Sequence, residues 1–385
     1  MDSSFPLKAD QEVYFGFSGM LKEYLFNKFN SGEKHSFLNF SEESDIQFWD
    51  ELSKKNDGTS ILDALKKCYP QLNFPIEKEI EKTELYKDFV LRGKTDFTNL
   101  TSSLELSDLK SIKLEINESI GGKIPTLTIS NQEDFVKIIQ ALLHKNNPVE
   151  IPSSMGAALI NGINNWERLN IIKNNWLANN PFGNWNTEFS SIILNKSLYK
   201  DKLIVLSTKP YSNVSASQLG LSDDLWILYS ILIRKEHEFT HLYTLKRYGL
   251  ASNNLHDELI ADYIGIIKAI GYYDKTWMLN FMGLEEYPQY RRGARLENYV
   301  KENRLSAEDF KQLIRIVKNA IETIAVFDKN LGKLNSVKDQ ICRIEALCET
   351  GLTALASPNG ASLLLLNYYD ILGEKNLDKE DYTRC

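Results

Sequence analysis

Residues 222–249 read SDDLWILYSILIRKEHEFTHLYTLKRYG, and this stretch decides how the rest of the chain is understood. Ser222 has the side chain of an N-cap, Asp223 and Asp224 complement the positive end of a helix, Lys246 and Arg247 the negative end, and Gly249 is a stop signal. The pattern predicts one helix of about seven turns. His237 and His241 are four residues apart, so both imidazoles emerge on one face, one turn apart, and two ring nitrogens can reach one cation. Glu238 is rotated about 100° from His237 and need not ligate. It is the candidate general base for a water whose pKa the metal has lowered. With only 5 His in the chain, HExxH arises by chance roughly 0.005 times, so the pattern is a signal.

A catalytic zinc takes a third protein ligand, and the next helix offers one. That helix is predicted from residue 253 or 254 to 270, with apolar residues at Leu255, Leu259, Ile260, Tyr263, Ile266, Ile267 and Ile270, ending at Gly271. The short connection makes the two helices packing neighbours. Glu258 is the expected third ligand. Asp262, one turn on, is placed to accept the spare N–H of a ligand histidine. His256 is the alternative ligand, since imidazole suits zinc, but it lies about 200° from Glu258 and one regular helix cannot turn both to the same metal. His256, Tyr263, Arg291 and Arg292 are candidates for stabilising a transition-state oxyanion, with no fixed spacing to choose among them. Residues 290–295, YRRGAR, read as a solvated loop. Zn²⁺ is the expected cofactor; Mn²⁺, Co²⁺ or Fe²⁺ also suit a His/His/Glu set.

HEFTH followed by ELIAD on a second helix resembles the gluzincin metallopeptidases, which carry HExxH and a downstream ExxxD. The resemblance covers roughly fifty residues and implies a zincin-like catalytic domain with His237, His241 and Glu258 as zinc ligands, Glu238 as catalytic base and Asp262 as partner of a ligand histidine. The metzincin pattern is excluded, because Thr244 and Arg247 stand where it requires Gly and His. The segments running from PSSMGA through INNWERL, LIVLSTKPYSNV, IRKEHEFTH and HDELIADYIG are also similar to a group of uncharacterised bacterial proteins with HExxH sites.

The remaining chain reads as α+β. Helices are predicted in SEESDIQFWDELSKK, with Ser41 as cap, in GTSILDALKKCY, and over 78–91 and 132–144, with KIPTLTIS as a strand. Residues 152–180 carry apolar residues at mixed helical spacing, SSIILN and KLIVLST read as adjacent strands, and three helices follow residue 306. This gives a mixed α/β N-terminal domain over 1–150, a catalytic domain over 151–300 whose strand at 203–207 borders a cleft, and an all-helical tail over 301–385. A net charge of −7 without a basic block argues against nucleic acid or anionic lipid as a partner. No leader and no run of about 18 apolar residues is seen, which reads as cytoplasmic. The four cysteines lack metal spacing and read as ordinary thiols. The expectation is a zinc-dependent hydrolase, cleaving a peptide or amide bond. Its alternatives are a zinc hydrolase of a small amide, ester or biosynthetic intermediate, and a protein in which zinc only staples two helices.

Overall fold

The computed structural model describes residues 16–31, 34–35, 45–54, 58–95, 100, 102–249, 254–303 and 305–382. Ser41, Asn253 and Cys385 lie outside them. By the density of their contacts the residues fall into two units, one made of 38–209 and the other of 1–37 with 210–385. Helix α1 (Gly19–Leu25) belongs to the latter.

The unit of 38–209 begins with α2 (Ile46–Ser53) and α3 (Gly58–Cys68). Strands β1 (Lys113–Asn117) and β2 (Ile124–Ile129) then pair antiparallel, and α4 (Gln132–Leu143) leads to β3 (Ala157–Asn164). Helices α5 (Trp166–Asn179) and α6 (Trp185–Ile192) precede β4 (Lys200–Ser207). The sheet order is β1-β2-β4-β3, with β4 parallel to β2 and antiparallel to β3. Leu127 and Ala158 both stand opposite Val205. One core gathers Trp49, Ile61, Tyr69, Phe135, Ile138, Leu203 and Val205.

Three local expectations fail here for identifiable reasons. Residues 152–180 are not helical throughout: their first half is β3, and α5 begins only where Asn165 accepts from the Arg168 amide. SSIILN is not a strand: its first three residues end α6 and the rest turn away from it. Asn184 caps that helix, and its Trp185 and Phe189, one turn apart, put their rings 6.0 Å from each other. The helix over 78–91 is broken into a 3₁₀ turn, Ile80–Lys82, and a short α–π segment, Glu84–Leu91, because Thr83 adopts an extended backbone and caps Tyr86. The two units also meet the chain elsewhere than at 150/151 and 300/301. β2 pairs with β4 across the first point. Helices N-terminal and C-terminal to the second pack on one another.

A buried ionic network fastens β4 to its surroundings. Asp201, fully buried, accepts from Arg168 Nη1 at 2.6 Å, Asn165 Nδ2 at 2.6 Å and the Tyr69 hydroxyl at 2.8 Å. Arg168 Nη2 donates to the Ser197 carbonyl. Arg168→Met would strand a carboxylate on two neutral donors, and we expect it to lower unfolding stability by about 3–5 kcal/mol, read as a fall in the denaturant midpoint. A shift under about 1 kcal/mol would mean that the guanidinium adds nothing net to the network.

The unit containing 210–385 is helical. α7 (Asp223–Tyr248) is the predicted long helix, capped by Ser222 and ended by Gly249 in the left-handed region. α8 (Leu255–Ile270) starts at Asn254, whose side chain accepts from the Asp257 amide, and ends at Gly271. α9 (Lys275–Met282) and α10 (Leu296–Asn303) follow, then α11 (Ala307–Leu331), α12 (Val337–Thr350) and α13 (Gly360–Tyr382). α8 packs along α7 on one side and against α12 on another. The α7–α8 crossing depends on Gly265: a Cβ there would lie 2.9 Å from the Ile233 carbonyl oxygen and from its Cγ2, closer than side chains tolerate. Arg343 of α12, 1% exposed, ties the bundle together by donating to Asp328, Asp339 and Tyr263. Among the described residues no helix is long and apolar enough to cross a membrane. The described cysteines, Cys68, Cys342 and Cys348, are buried free thiols.

Candidate metal centre

The close α7–α8 approach brings one face of each helix together. His237 and His241 of α7 and Glu258 of α8 converge so that one ligand atom from each lies within 4.8 Å of the others. The two Nε2 atoms are 2.9 Å apart. Glu258 Oε2 stands 3.5 Å from His237 Nε2, and Oε1 3.6 Å from His241 Nε2. Ligands of one tetrahedral zinc, each about 2.0–2.1 Å from it, lie about 3.3 Å from each other, so the spacing fits a single small cation.

The second nitrogens of both rings are already engaged. His237 Nδ1 is 2.8 Å from Asp262 Oδ1. His241 Nδ1 is 3.0 Å from Asp257 Oδ2, though poorly aligned for a hydrogen bond. A carboxylate facing each Nδ1 places the ring proton there and leaves the Nε2 lone pairs facing one another. Two lone pairs at 2.9 Å, with a carboxylate beside them, form a pocket that selects positive charge.

Charge balance leads to the same conclusion. Asp257, Glu258 and Asp262 bring three negative charges, and Arg295, 7% exposed, brings one positive; the remaining two negative charges match a divalent ion. Burial works against ionising Glu258, but the bond to His241 and the charges of His237, His241 and Arg295 outweigh it and hold its carboxyl well below the usual range. Asp262 is likewise held low: burial opposes its charge, and Arg295, His237 and Tyr211 overcome that. Burial disfavours a charge on His241 too, yet Asp257 and Glu258 raise its pKa well above 6.5: the carboxylates draw positive charge to the paired Nε2 atoms, either a proton on the ring or a cation in its place. The donor set and its surroundings therefore fit a divalent cation.

Glu238 is 5% exposed, adjacent to His237, and its charge bears on the buried guanidinium of Arg234. Asp262 faces His237 Nδ1 through its Oδ1. His256 does not reach the centre. Its Nε2 lies 2.9 Å from the Leu347 carbonyl, its ring meets Phe29 edge-on, and burial pushes its pKa down to about 4. The helical arithmetic that set it opposite Glu258 is the reason. Tyr263 is also turned away, donating to Asp328 while accepting from Arg343. Arg291 is engaged by Glu285 and the Asn280 carbonyl.

Four residues of the centre are not among the sequence-derived candidates. Arg295, in the segment read as a solvated loop, donates to Asp262 Oδ2 and stands 3.8 Å from Glu258 Oε2. Tyr299 donates to Glu258 Oε2 at 3.0 Å. Tyr211 donates to Asp262 Oδ1 at 2.5 Å. Asp257 faces His241. Only Asp257 had a usable signal, its place beside Glu258 on the same helix turn.

No curated protein and no solved structure matches the chain. A family model does match, over residues 17–359. That span takes in Tyr211, the HExxH helix, Glu258, Asp262 and Arg295, and the chain belongs to this family, the family of unknown function DUF7005.

Proposed function

We propose that the protein is a zinc-dependent hydrolase of gluzincin-like, zincin-type arrangement, acting on a peptide or another amide bond. The observation that carries the reading is the convergence of His237 Nε2, His241 Nε2 and the Glu258 carboxylate within 4.8 Å, beside a buried Glu238. A zinc ion, when bound, supplies Lewis acidity toward a carbonyl and eases the deprotonation of water. His237 and His241 present Nε2 lone pairs; Asp262 and Asp257 hold their rings by Nδ1. Glu258 adds the anionic ligand, with Arg295 and the Tyr299 hydroxyl beside its carboxylate. Glu238 is the base that takes the water proton at its carboxylate and hands it to the leaving amine.

Depth of burial favours one other reading. His237 and His241 are 6% and 7% exposed, and Glu258 is held by Tyr299 and Arg295 as well, an enclosure suited to a zinc that staples α7 to α8. Elemental analysis of the purified chain, followed by incubation with a peptide library and a small ester and amide panel, tests the main reading. About one zinc per chain and chelator-sensitive hydrolysis are expected. Metal without any hydrolysis, combined with unfolding on chelation, would leave the staple. A chain that takes up no zinc would overturn both.

A further inference from the structure

Tyr211 is one of the residues of the centre that neither motif contains, and its position is fixed from several sides. Its backbone amide donates to Ser230 Oγ at 2.9 Å. Its ring packs edge-on to Phe281, with centroids 4.9 Å apart. The guanidinium carbons of Arg234 and Arg295 lie 5.4 and 5.7 Å from its ring centre. Ser230, Arg234, His237 and His241 recur at helical spacing along one face of α7, so the face that presents the metal ligands also seats this tyrosine.

The hydroxyl of Tyr211 meets Asp262 at the oxygen that also serves His237. Asp262 Oδ1 accepts from the Tyr211 hydroxyl at 2.5 Å and lies 2.8 Å from His237 Nδ1. Oδ2 accepts from Arg295 Nη2, while Arg295 Nη1 donates to the Tyr211 oxygen at 3.2 Å and to Ser212 Oγ at 3.1 Å. Both oxygens of Asp262 are thus occupied, and one guanidinium spans the carboxylate and the phenol. A carboxylate left with His237 as its sole partner could swing away. Saturated in this way, it is held in place.

We propose, on the reading of this cluster as a metal centre, that Tyr211 and Arg295 are positioning residues: by saturating Asp262 they hold it against His237 Nδ1 and so fix the ring with its Nε2 aimed at the metal. Neither residue is a ligand. Both act through Asp262; the Tyr211 oxygen also lies 3.0 Å from His237 Nδ1, so it bounds the ring directly as well, and Arg295 steadies Glu258 from 3.8 Å.

The test is zinc affinity, read by competition with a chromophoric chelator, for wild type, Tyr211→Phe and Arg295→Lys. It is paired with the visible spectrum of each Co²⁺-loaded protein and the melting temperature of each metal-free protein. Partners of this kind are worth about 10–100-fold in metal affinity. Tyr211→Phe is expected to bind zinc at least ~10-fold more weakly and to alter the cobalt bands, while its metal-free melting temperature stays within about 4 °C of wild type. Arg295→Lys keeps the charge but loses the fork, and should weaken binding similarly; it carries the test if the phenylalanine variant does not fold. Affinity within twofold and a superimposable cobalt spectrum would overturn the proposal. So would a fall in metal-free melting temperature without a loss of affinity. A wild type that binds neither ion overturns the metal reading itself, whereas normal wild-type binding with indifferent variants overturns only the role given to Tyr211 and Arg295.

Discussion

His241→Ala and Glu258→Ala proteins are expected to lose their zinc, with affinity falling by more than ~100-fold, beyond the range seen when only an outer partner is removed. Removing His241 leaves two donors where a tetrahedral site uses three and a water, and it uncovers Asp257, a fully buried carboxylate whose ion pair is that histidine. Removing Glu258 deletes the one anionic ligand and takes away an acceptor of the Tyr299 hydroxyl. Stability should follow the metal: a ligand present at 1,000 times its Kd lends the folded state about 4 kcal/mol, and neither variant can draw on it. The check is metal per chain after dialysis, alongside the melting temperature with and without added zinc. His256→Ala is the informative contrast, since His256 bonds the Leu347 carbonyl and should be dispensable for metal. If Glu258→Ala kept its full complement while His256→Ala lost it, the ligand set argued here would be wrong.

Much of this centre was legible because it is written in helical arithmetic. HExxH and the Glu258–Asp262 pair each depend only on i to i+4 spacing within one element, and caps at Ser222 and Asn254 with glycine stops at Gly249 and Gly271 mark both helices. Arg295 and Tyr211 depend on tertiary placement instead. Nothing local separates a buried arginine in YRRGAR from a solvated one; its role exists only because Asp262 and Glu258 are brought to it by α8. The same limit applies in the sheet. SSIILN has the composition of a strand, and only the Asn184 cap and the Trp185–Phe189 pair decide for a helix. β1, KLEIN, is short and charged, and it becomes a strand by pairing with β2. Gly265 shows the converse case: a glycine that weakens its helix on propensity is kept where Ile233 leaves no room for a methyl group.

Glu238→Gln is expected to keep its zinc and its fold while hydrolysis falls by about 10²–10⁴-fold, the range over which a positioned general base contributes. The substitution is nearly isosteric, and Glu238 lies outside the group of converging ligand atoms. Metal content should therefore match wild type, and the loss should sit in kcat, because an amide can contact water but cannot accept its proton at neutral pH. Each tenfold is about 1.4 kcal/mol of transition-state stabilisation, so the expected barrier increase is roughly 3–5 kcal/mol. One structural effect accompanies the chemistry: the Glu238 charge favours the protonated form of Arg234, a guanidinium that burial pushes down to about 10. Some loss of stability should follow, and the melting temperature of the variant separates it from the kinetic loss. A glutamine variant with unchanged metal and unchanged turnover would remove the base from the mechanism. Were both proteins inert toward every amide and ester while both held zinc, α7 and α8 would be two helices joined by a metal, and the burial of His237 and His241 would be explained by that alone.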